Sequence, residues 1–226
     1  MAPTLSGIHV GMTLHERALS GLHSALISRI AHVSRDARVL DTGCGTGAWL
    51  ERLAEAGFRH LHGIDRDLSE FGCGRATASH GNLDDVDLGL EARKFDLITA
   101  IEVLEHLENP GRLFAHLQRH LAENGTVLLT TPNVQSLQCR LRFALTGKLQ
   151  QFDEKADPTH LLPWPMISFE RMFKRYGFQA DAIWTFPERC GSTCSRPAIR
   201  RLARLLSFAL PNDLAGDILC VLVRRA

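Results

Sequence analysis

Arg38-Val-Leu-Asp-Thr-Gly-Cys-Gly-Thr-Gly47 begins as a short apolar strand, Val39-Leu40, ends that strand in Asp41, and runs straight into a loop with glycines at 43, 45 and 47. Glycine there lets the backbone turn sharply and approach a ligand closely. Residues 48–56 follow as a helix whose N-terminus points at that ligand. A dinucleotide fingerprint reads G-x-G-x-x-G. This loop reads G-x-G-x-G, with a carboxylate at the strand end. A carboxylate beside a pyrophosphate is repulsive, so the loop suits a ligand with positive charge and no phosphate. An ordinary strand-turn-helix connection is the plain alternative, and three spaced glycines plus the acid argue against it.

Outward from the loop, strands and helices alternate. The pattern predicts strand 38–40, helix 48–56, strand 60–64, helix 67–75, strand 77–80, strand 95–100, a short helix 103–107, helix 110–122 and strand 126–130. Asn109-Pro110 supplies a cap and a proline at one helix start, and Asn124-Gly125 an end. Such alternation argues for an α/β fold, a mostly parallel sheet with helices on both faces. Upstream, residues 13–33 read as an amphipathic helix, with Leu14, Leu19, Leu22, Leu26, Ile27 and Ile30 at helical spacing. Downstream, 133–165 reads as a long connection rich in charge and turn formers, a length uncommon in a loop without a function. Helix 166–176 ends at Gly177, and strands follow at 178–185 and 218–223. The expected organisation is one domain over 1–226, with an N-terminal helix within 1–35, a substrate-side lid at 133–165 and a basic amphipathic insertion at 187–212.

In that insertion, residues 196–210 place Arg196, Arg200, Arg201 and Arg204 opposite Ile199, Leu202, Leu205, Leu206 and Phe208. The more economical reading packs the apolar face on the core and leaves the arginines in water. The alternative is peripheral contact with a membrane surface. The whole chain carries 226 residues with a formal net charge of +1, so no global field draws it to nucleic acid or anionic membrane. No run of about 18 or more apolar residues predicts a transmembrane helix, and no basic-then-apolar leader is visible. The cysteines at 44, 73, 139, 190, 194 and 220 are scattered, which suits free thiols in a reducing cytoplasm.

In open α/β sheets the ligand lies across the carboxyl ends of the strands. The second strand ends in Asp65, whose two oxygens can accept both hydroxyls of a ribose. The third runs into His80-Gly-Asn-Leu83, where Asn82 can pair with an adenine amino group and Leu83 offers a backbone N–H. Asn82 also reads plainly as a turn residue. The first motif, the Asp65 strand end, Phe95-Asp-Leu-Ile-Thr-Ala-Ile-Glu-Val-Leu-Glu-His106 and Gly125-Thr-Val-Leu-Leu-Thr-Thr-Pro-Asn133 stand in the order and spacing of a known family. Together they resemble the class I S-adenosylmethionine-dependent methyltransferases, from Asp36 to the C-terminus. The resemblance implies a Rossmann-like seven-stranded sheet whose last strand is antiparallel and inserted beside 180–185. It implies S-adenosylmethionine as cofactor, with Asp41, Gly43, Cys44, Gly45, Gly47, Asp65, Arg66, Asn82, Leu83 and Ile101 as its contacts. Asn82 stands where such enzymes usually carry Asp.

Methyl transfer is a displacement at an already activated carbon, so the enzyme mostly positions the nucleophile. An amine needs only its lone pair, whereas a hydroxyl also needs its proton removed or its pKa lowered. If a helix begins near 102, Glu102, Glu105 and His106 lie at i, i+3 and i+4 on one face. Two carboxylates and an imidazole can hold a divalent cation, and Asp157-Pro-Thr-His160 could add a ligand. This E-x-x-E-H pattern with a later His resembles the ubiquinone-biosynthesis O-methyltransferases. It also resembles the small-RNA 2′-O-methyltransferases, whose matching residues bind metal. By that resemblance Glu102, Glu105, His106 and His160 would hold a divalent ion such as Mg²⁺, and Glu102, His106 and His160 would serve catalysis. Glutamates in a first helical turn are also favoured by the helix dipole alone. The expected function is O-methylation of a small-molecule, quinone-like, sugar or lipid acceptor. An RNA 2′-O-methyltransferase or a non-catalytic binding module are the alternatives. Near-zero charge speaks against RNA, and the intact glycines and acids speak against decay.

Overall fold

Val39 and Leu40 are both buried, as expected for a strand covered on two faces, where apolar residues need not alternate with polar ones. The computed structural model describes residues 14–188, 197–206 and 215–226. Strands β1 (Arg38–Thr42), β2 (His60–Asp65), β3 (Thr77–His80), β4 (Phe95–Ile101), β5 (Leu121–Pro132), β6 (Phe178–Phe186) and β7 (Ile218–Arg225) form one sheet in the order β3-β2-β1-β4-β5-β7-β6. β1 to β5 run parallel, and β7 is antiparallel between β5 and β6. This is the expected topology, with the last strand inserted. Register sets Asp41 beside Gly63 and Thr99, and Asp65 beside His80, so the carboxyl ends of β1 to β4 share one edge.

Helices α1 (Leu22–Arg29) and α2 (Ala48–Glu55) cover one face through Leu22, Leu26, Trp49, Leu50 and Leu53. Helices α3 (Pro110–His120) and α5 (Met166–Tyr176) cover the other through Leu113, Phe114, Leu117, Phe169 and Phe173. Phe114 is fully buried, with ring centroids of Trp164, Phe173 and Tyr176 at 6.2, 6.0 and 5.9 Å. Phe114→Ala should therefore cost about 3–5 kcal/mol of stability, as for other core aromatics. Denaturant unfolding checks this, and a loss under about 1 kcal/mol would mean the site collapses around the gap.

Several sequence expectations are corrected. The N-terminal helix is shorter than 13–33, because Gly21 turns left-handed (φ 83°) and the helix begins only after it. No helix forms over 67–75. The Asp65 carboxylate accepts from the Asp67 N–H, and the Asp67 carboxylate from the Ser69 N–H, so these side chains hold tight turns instead. The expected helix 103–107 is a single 3-10 turn, Leu104–His106. Helix α3 ends at His120, not 122. Asn124-Gly125 lies within β5, next to a register shift between Phe95 and Leu97 where the chain bulges. The connection 133–165 is not without structure. It holds α4 (Leu137–Thr146), capped by the Ser136 hydroxyl accepting from the Cys139 N–H. The basic helix is α6 (Pro197–Leu206), and the remainder of 187–212 beyond Glu188 lies outside the described residues. Its Leu202, Leu205 and Leu206 stay exposed, as do Phe143 and Leu145 of α4, against which α6 packs. The economical reading of a core-facing apolar side therefore fails for these leucines. Cys44, Cys73, Cys139 and Cys220 are free and buried, while Cys190 and Cys194 fall outside the described residues.

Candidate active site

The glycine loop after β1 divides its labour. A Cβ on Gly43 would stand 2.6 Å from Val103, and one on Gly47 2.8 Å from Cys73 and 2.9 Å from the Phe71 ring. Those two glycines serve close packing. Gly45 is left-handed (φ 49°), and a Cβ there would meet nothing nearer than the Arg17 guanidinium at 3.9 Å. Gly45 thus offers bare backbone to the cleft, the arrangement a close ligand needs. Its N–H donates to the Asp65 carboxylate at 2.8 Å, tying the loop to the end of β2. The other Asp65 oxygen accepts from Asp67, and a carboxylate retains further acceptor sites.

A cleft of about 750 Å³ opens along the carboxyl ends of the strands. Asp41, Gly43, Cys44, Gly45, Asp65, Arg66, Asn82, Leu83 and Ile101 line it, as do Glu102, His106 and His160. Gly47 and Glu105 do not reach its wall. Asn82 also holds a turn, its side-chain oxygen accepting from the Asp84 N–H at 3.1 Å. Sequence reasoning missed Arg17, which reaches over the cleft from the N-terminal segment. The Arg17–Glu70 pair at 2.5 Å and the Thr46 hydroxyl donating to the His15 carbonyl at 2.9 Å fasten that segment across the loop. A lone arginine upstream of the first strand carries no motif, so no sequence signal could have found it.

Asp41 is buried, and one oxygen accepts from the Thr99 hydroxyl at 2.7 Å, which in turn accepts from the Trp49 indole N–H. Burial pushes its carboxyl up to about 7, with nearby Asp65 adding to the rise and the Thr99 bond opposing it. Burial alone also pushes Glu102 up to about 7 against a bond from the Thr130 hydroxyl. Glu102 (φ 54°) and Gln151 (φ 67°) are left-handed non-glycine residues, and both line the cleft. Such backbone costs about 1–3 kcal/mol and tends to sit at functional sites.

The Glu-His cluster differs from the sequence expectation. Glu102 does not share a helical face with Glu105 and His106, because its left-handed backbone breaks the turn. One ligand atom each from Glu105, His106 and His160 lie within 4.8 Å of one another, and Glu102 is outside that group. The Glu105 carbonyl accepts from the Leu161 and Leu162 N–H groups at 2.8 and 3.1 Å, drawing the distant His160 segment in. The histidine rings meet edge to face at 4.7 Å.

Their tautomers follow from their partners. His160 Nδ1 lies 2.7 Å from the Gln151 carbonyl, which can only accept, so Nδ1 carries the proton. His106 Nδ1 faces the Thr159 hydroxyl oxygen at 2.8 Å and the Thr159 carbonyl at 3.1 Å. The Thr159 hydroxyl proton is committed to the Asp157 carboxylate at 2.6 Å, so His106 Nδ1 must donate as well. Both rings therefore leave Nε2 with its lone pair. Burial and the neighbouring His160 hold His106 below its ordinary value, and bonds from Thr159 hold Asp157 below its own. Glu105 is buried, with one oxygen bonded by the Thr131 hydroxyl and Oε1 without a partner among the described residues. Burial and nearby Glu102 push its carboxyl well up.

A methyltransferase-domain family model matches residues 15–183. A probable S-adenosylmethionine-dependent methyltransferase of Mycolicibacterium smegmatis is 30% identical over 180 residues, 74% of this chain and 65% of that protein. A ubiquinone biosynthesis O-methyltransferase of Neisseria meningitidis is 29% identical over 108 residues, 44% of this chain and 45% of that one. The chain thus spans less than two thirds of the length of the first curated relatives it matches. An S-adenosylmethionine-dependent methyltransferase structure from Archaeoglobus fulgidus superposes with a TM-score of 0.65 at 21% identity, covering 90% of this chain and 92% of that one. With its sheet order, its glycine loop and the family match over most of its length, the chain belongs to the S-adenosylmethionine-dependent methyltransferases.

Proposed function

We propose that the chain methylates a hydroxyl on a small acceptor of quinone-like, sugar or lipid character. The observation that carries this reading is the histidine pair at the cleft, both with Nε2 free to take a proton. An amine acceptor would not need them. S-adenosylmethionine, when bound, supplies the methyl group already activated on a sulfonium. Gly45 would give its backbone approach, Asp65 would hold the ribose hydroxyls, and Asn82 with the Leu83 N–H would hold the adenine. Asp41 would face the cationic amino group and Arg17 the carboxylate, with Cys44, Arg66 and Ile101 walling the site. His106 Nε2 or His160 Nε2 would accept the proton that the acceptor oxygen loses. Thr159 and Asp157 hold the first ring, and the Gln151 carbonyl the second. Glu102 lines the same cleft and would contact the acceptor.

The donor set also fits a divalent cation, since Glu105 Oε1 is a buried carboxylate oxygen beside the two histidines with no partner among the described residues. Glu105, His106 and His160 would hold the ion, which would lower the pKa of a bound hydroxyl. Two imidazoles suit a transition metal better than Mg²⁺, which favours oxygen. Incubation with tritiated S-adenosylmethionine and fractionated host extract tests the acceptor class. Label should enter the small-molecule or lipid fraction, and label confined to RNA would favour the 2′-O-methyltransferase alternative.

The Asp41 role has a pH signature. Without ligand beside it, burial keeps Asp41 protonated up to about pH 7. A cationic group beside it favours the carboxylate, so ligand binding releases that proton below pH 7. Affinity should therefore weaken as pH falls from 8 through about 7 to 6. Calorimetric heats at the lower pH should vary with the buffer's ionisation enthalpy, and Asp41→Asn should remove that variation. Buffer-independent heats in the unaltered protein would place Asp41 away from the cation.

A further inference from the structure

The edge of the sheet opposite the cofactor cleft carries a second hollow of about 460 Å³. Arg38 opens β1, His60 opens β2, Thr77 opens β3 and Phe95 opens β4, so the hollow lies at the amino ends of the strands. Five of its thirteen lining residues are Arg38, Arg59, Arg75, Arg93 and Lys94, and none is Asp or Glu. A chain of net charge +1 has thus gathered one sign of charge around one concavity. We propose that this hollow binds a small phosphate-bearing anion, at a site separate from the methyl-transfer cleft.

The cations are fixed but not spent. Asp36 engages Arg59 at 2.9 Å, Asp96 engages Arg38 at 3.5 Å, and Glu51 engages Arg75. All three acids lie outside the lining. A guanidinium has five donors, and a single carboxylate contact leaves most of them available. The Arg93 guanidinium sits 5.2 Å from the Phe95 ring centroid, and no carboxylate lies within ion-pair distance of it among the described residues. Lys94 Nζ gives one bond to the Arg119 carbonyl at 2.6 Å and keeps two donors. Buried His62 lines the hollow and is held by the Thr77 and Ser79 hydroxyls at 2.8 and 3.0 Å, which fixes its ring orientation.

Guanidinium forks match phosphate oxygens in pairs. Several cations around one opening suit more than one negative charge. The volume lies in the range of small-molecule sites and exceeds what a lone phosphate fills. Val39, Leu61 and Phe95 offer an apolar wall for the organic part. A compact hollow of this size is unlike the long basic groove that a nucleic-acid backbone follows.

Calorimetric titration of the full chain with inorganic tripolyphosphate and with ADP tests this. One saturable site that weakens with added salt is expected for both. The double variant Arg59→Ala, Arg93→Ala should weaken both by about tenfold or more, and Arg201→Ala on α6 should not. Arg93→Lys, which keeps the charge, should lose less. Retained S-adenosylmethionine binding and Tm in each variant show that the fold and the methyl-transfer cleft are intact. Absent saturation, or equal affinity in the double variant, overturns the site. Tighter binding of a single-stranded RNA than of tripolyphosphate overturns the small-anion assignment.

Discussion

Gly45→Arg should abolish S-adenosylmethionine binding while leaving a folded protein. Position 45 is the loop glycine where a Cβ would point into open space, and an arginine there fills the cleft directly. The left-handed backbone at φ 49° adds a strain of about 1–2 kcal/mol to any L side chain, which lowers Tm by a few degrees only. Calorimetry should show no heat with S-adenosylmethionine or S-adenosylhomocysteine, where the unaltered chain should bind both and should not bind NAD. Gly47→Ala is the informative companion. Its Cβ would press on Cys73 and the Phe71 ring rather than on the ligand, so it should lower Tm more than affinity. Unchanged cofactor affinity in Gly45→Arg would mean that the ligand lies elsewhere.

His160→Ala and His106→Ala should each lower kcat by about 10²–10⁴ if the pair removes the acceptor proton. The dissociation constant for S-adenosylmethionine should stay nearly constant, since neither ring is among the groups assigned to the adenosine. A chelator separates the two versions of this chemistry. If activity disappears with chelator and returns with a divalent ion, Glu105, His106 and His160 act through a metal, and Glu105→Gln should fail as badly as the histidine variants. If chelator does nothing while the histidine variants are inactive, the rings act as bases. Full activity in both variants on the true acceptor would remove the support for an oxygen nucleophile.

Most of the fold was legible because the strands are short apolar runs between turn residues, and strand 77–80 coincides with its prediction. What failed did so for local or long-range reasons. Asp67 and Ser69 read as helix-compatible, but their neighbouring carboxylates capture backbone N–H groups and hold turns. The residues of α4 were hidden in a stretch whose charge suggested a loop, although Ser136 was available as a cap. In the cleft, Asp41, Gly45 and Asp65 were legible because their spacing follows the parallel strands. His160 was legible as a possible further ligand, but the sequence did not show what brings it to Glu105, since their meeting depends on the Glu105 carbonyl holding Leu161 and Leu162. Glu102 was placed with them by assuming helical spacing, and its left-handed backbone undoes that assumption. The division of roles among Gly43, Gly45 and Gly47 depends on Val103, Phe71 and Cys73, which no local pattern reports.

The atom that receives the methyl separates transfer to oxygen from every other acceptor chemistry. S-adenosylmethionine labelled with carbon-13 in its methyl group, incubated with the protein and host extract, gives a product whose methyl resonance identifies the atom it is bonded to. A single new methyl on oxygen is expected, absent with the double variant His106→Ala, His160→Ala. A methyl on nitrogen, sulfur or carbon would contradict it.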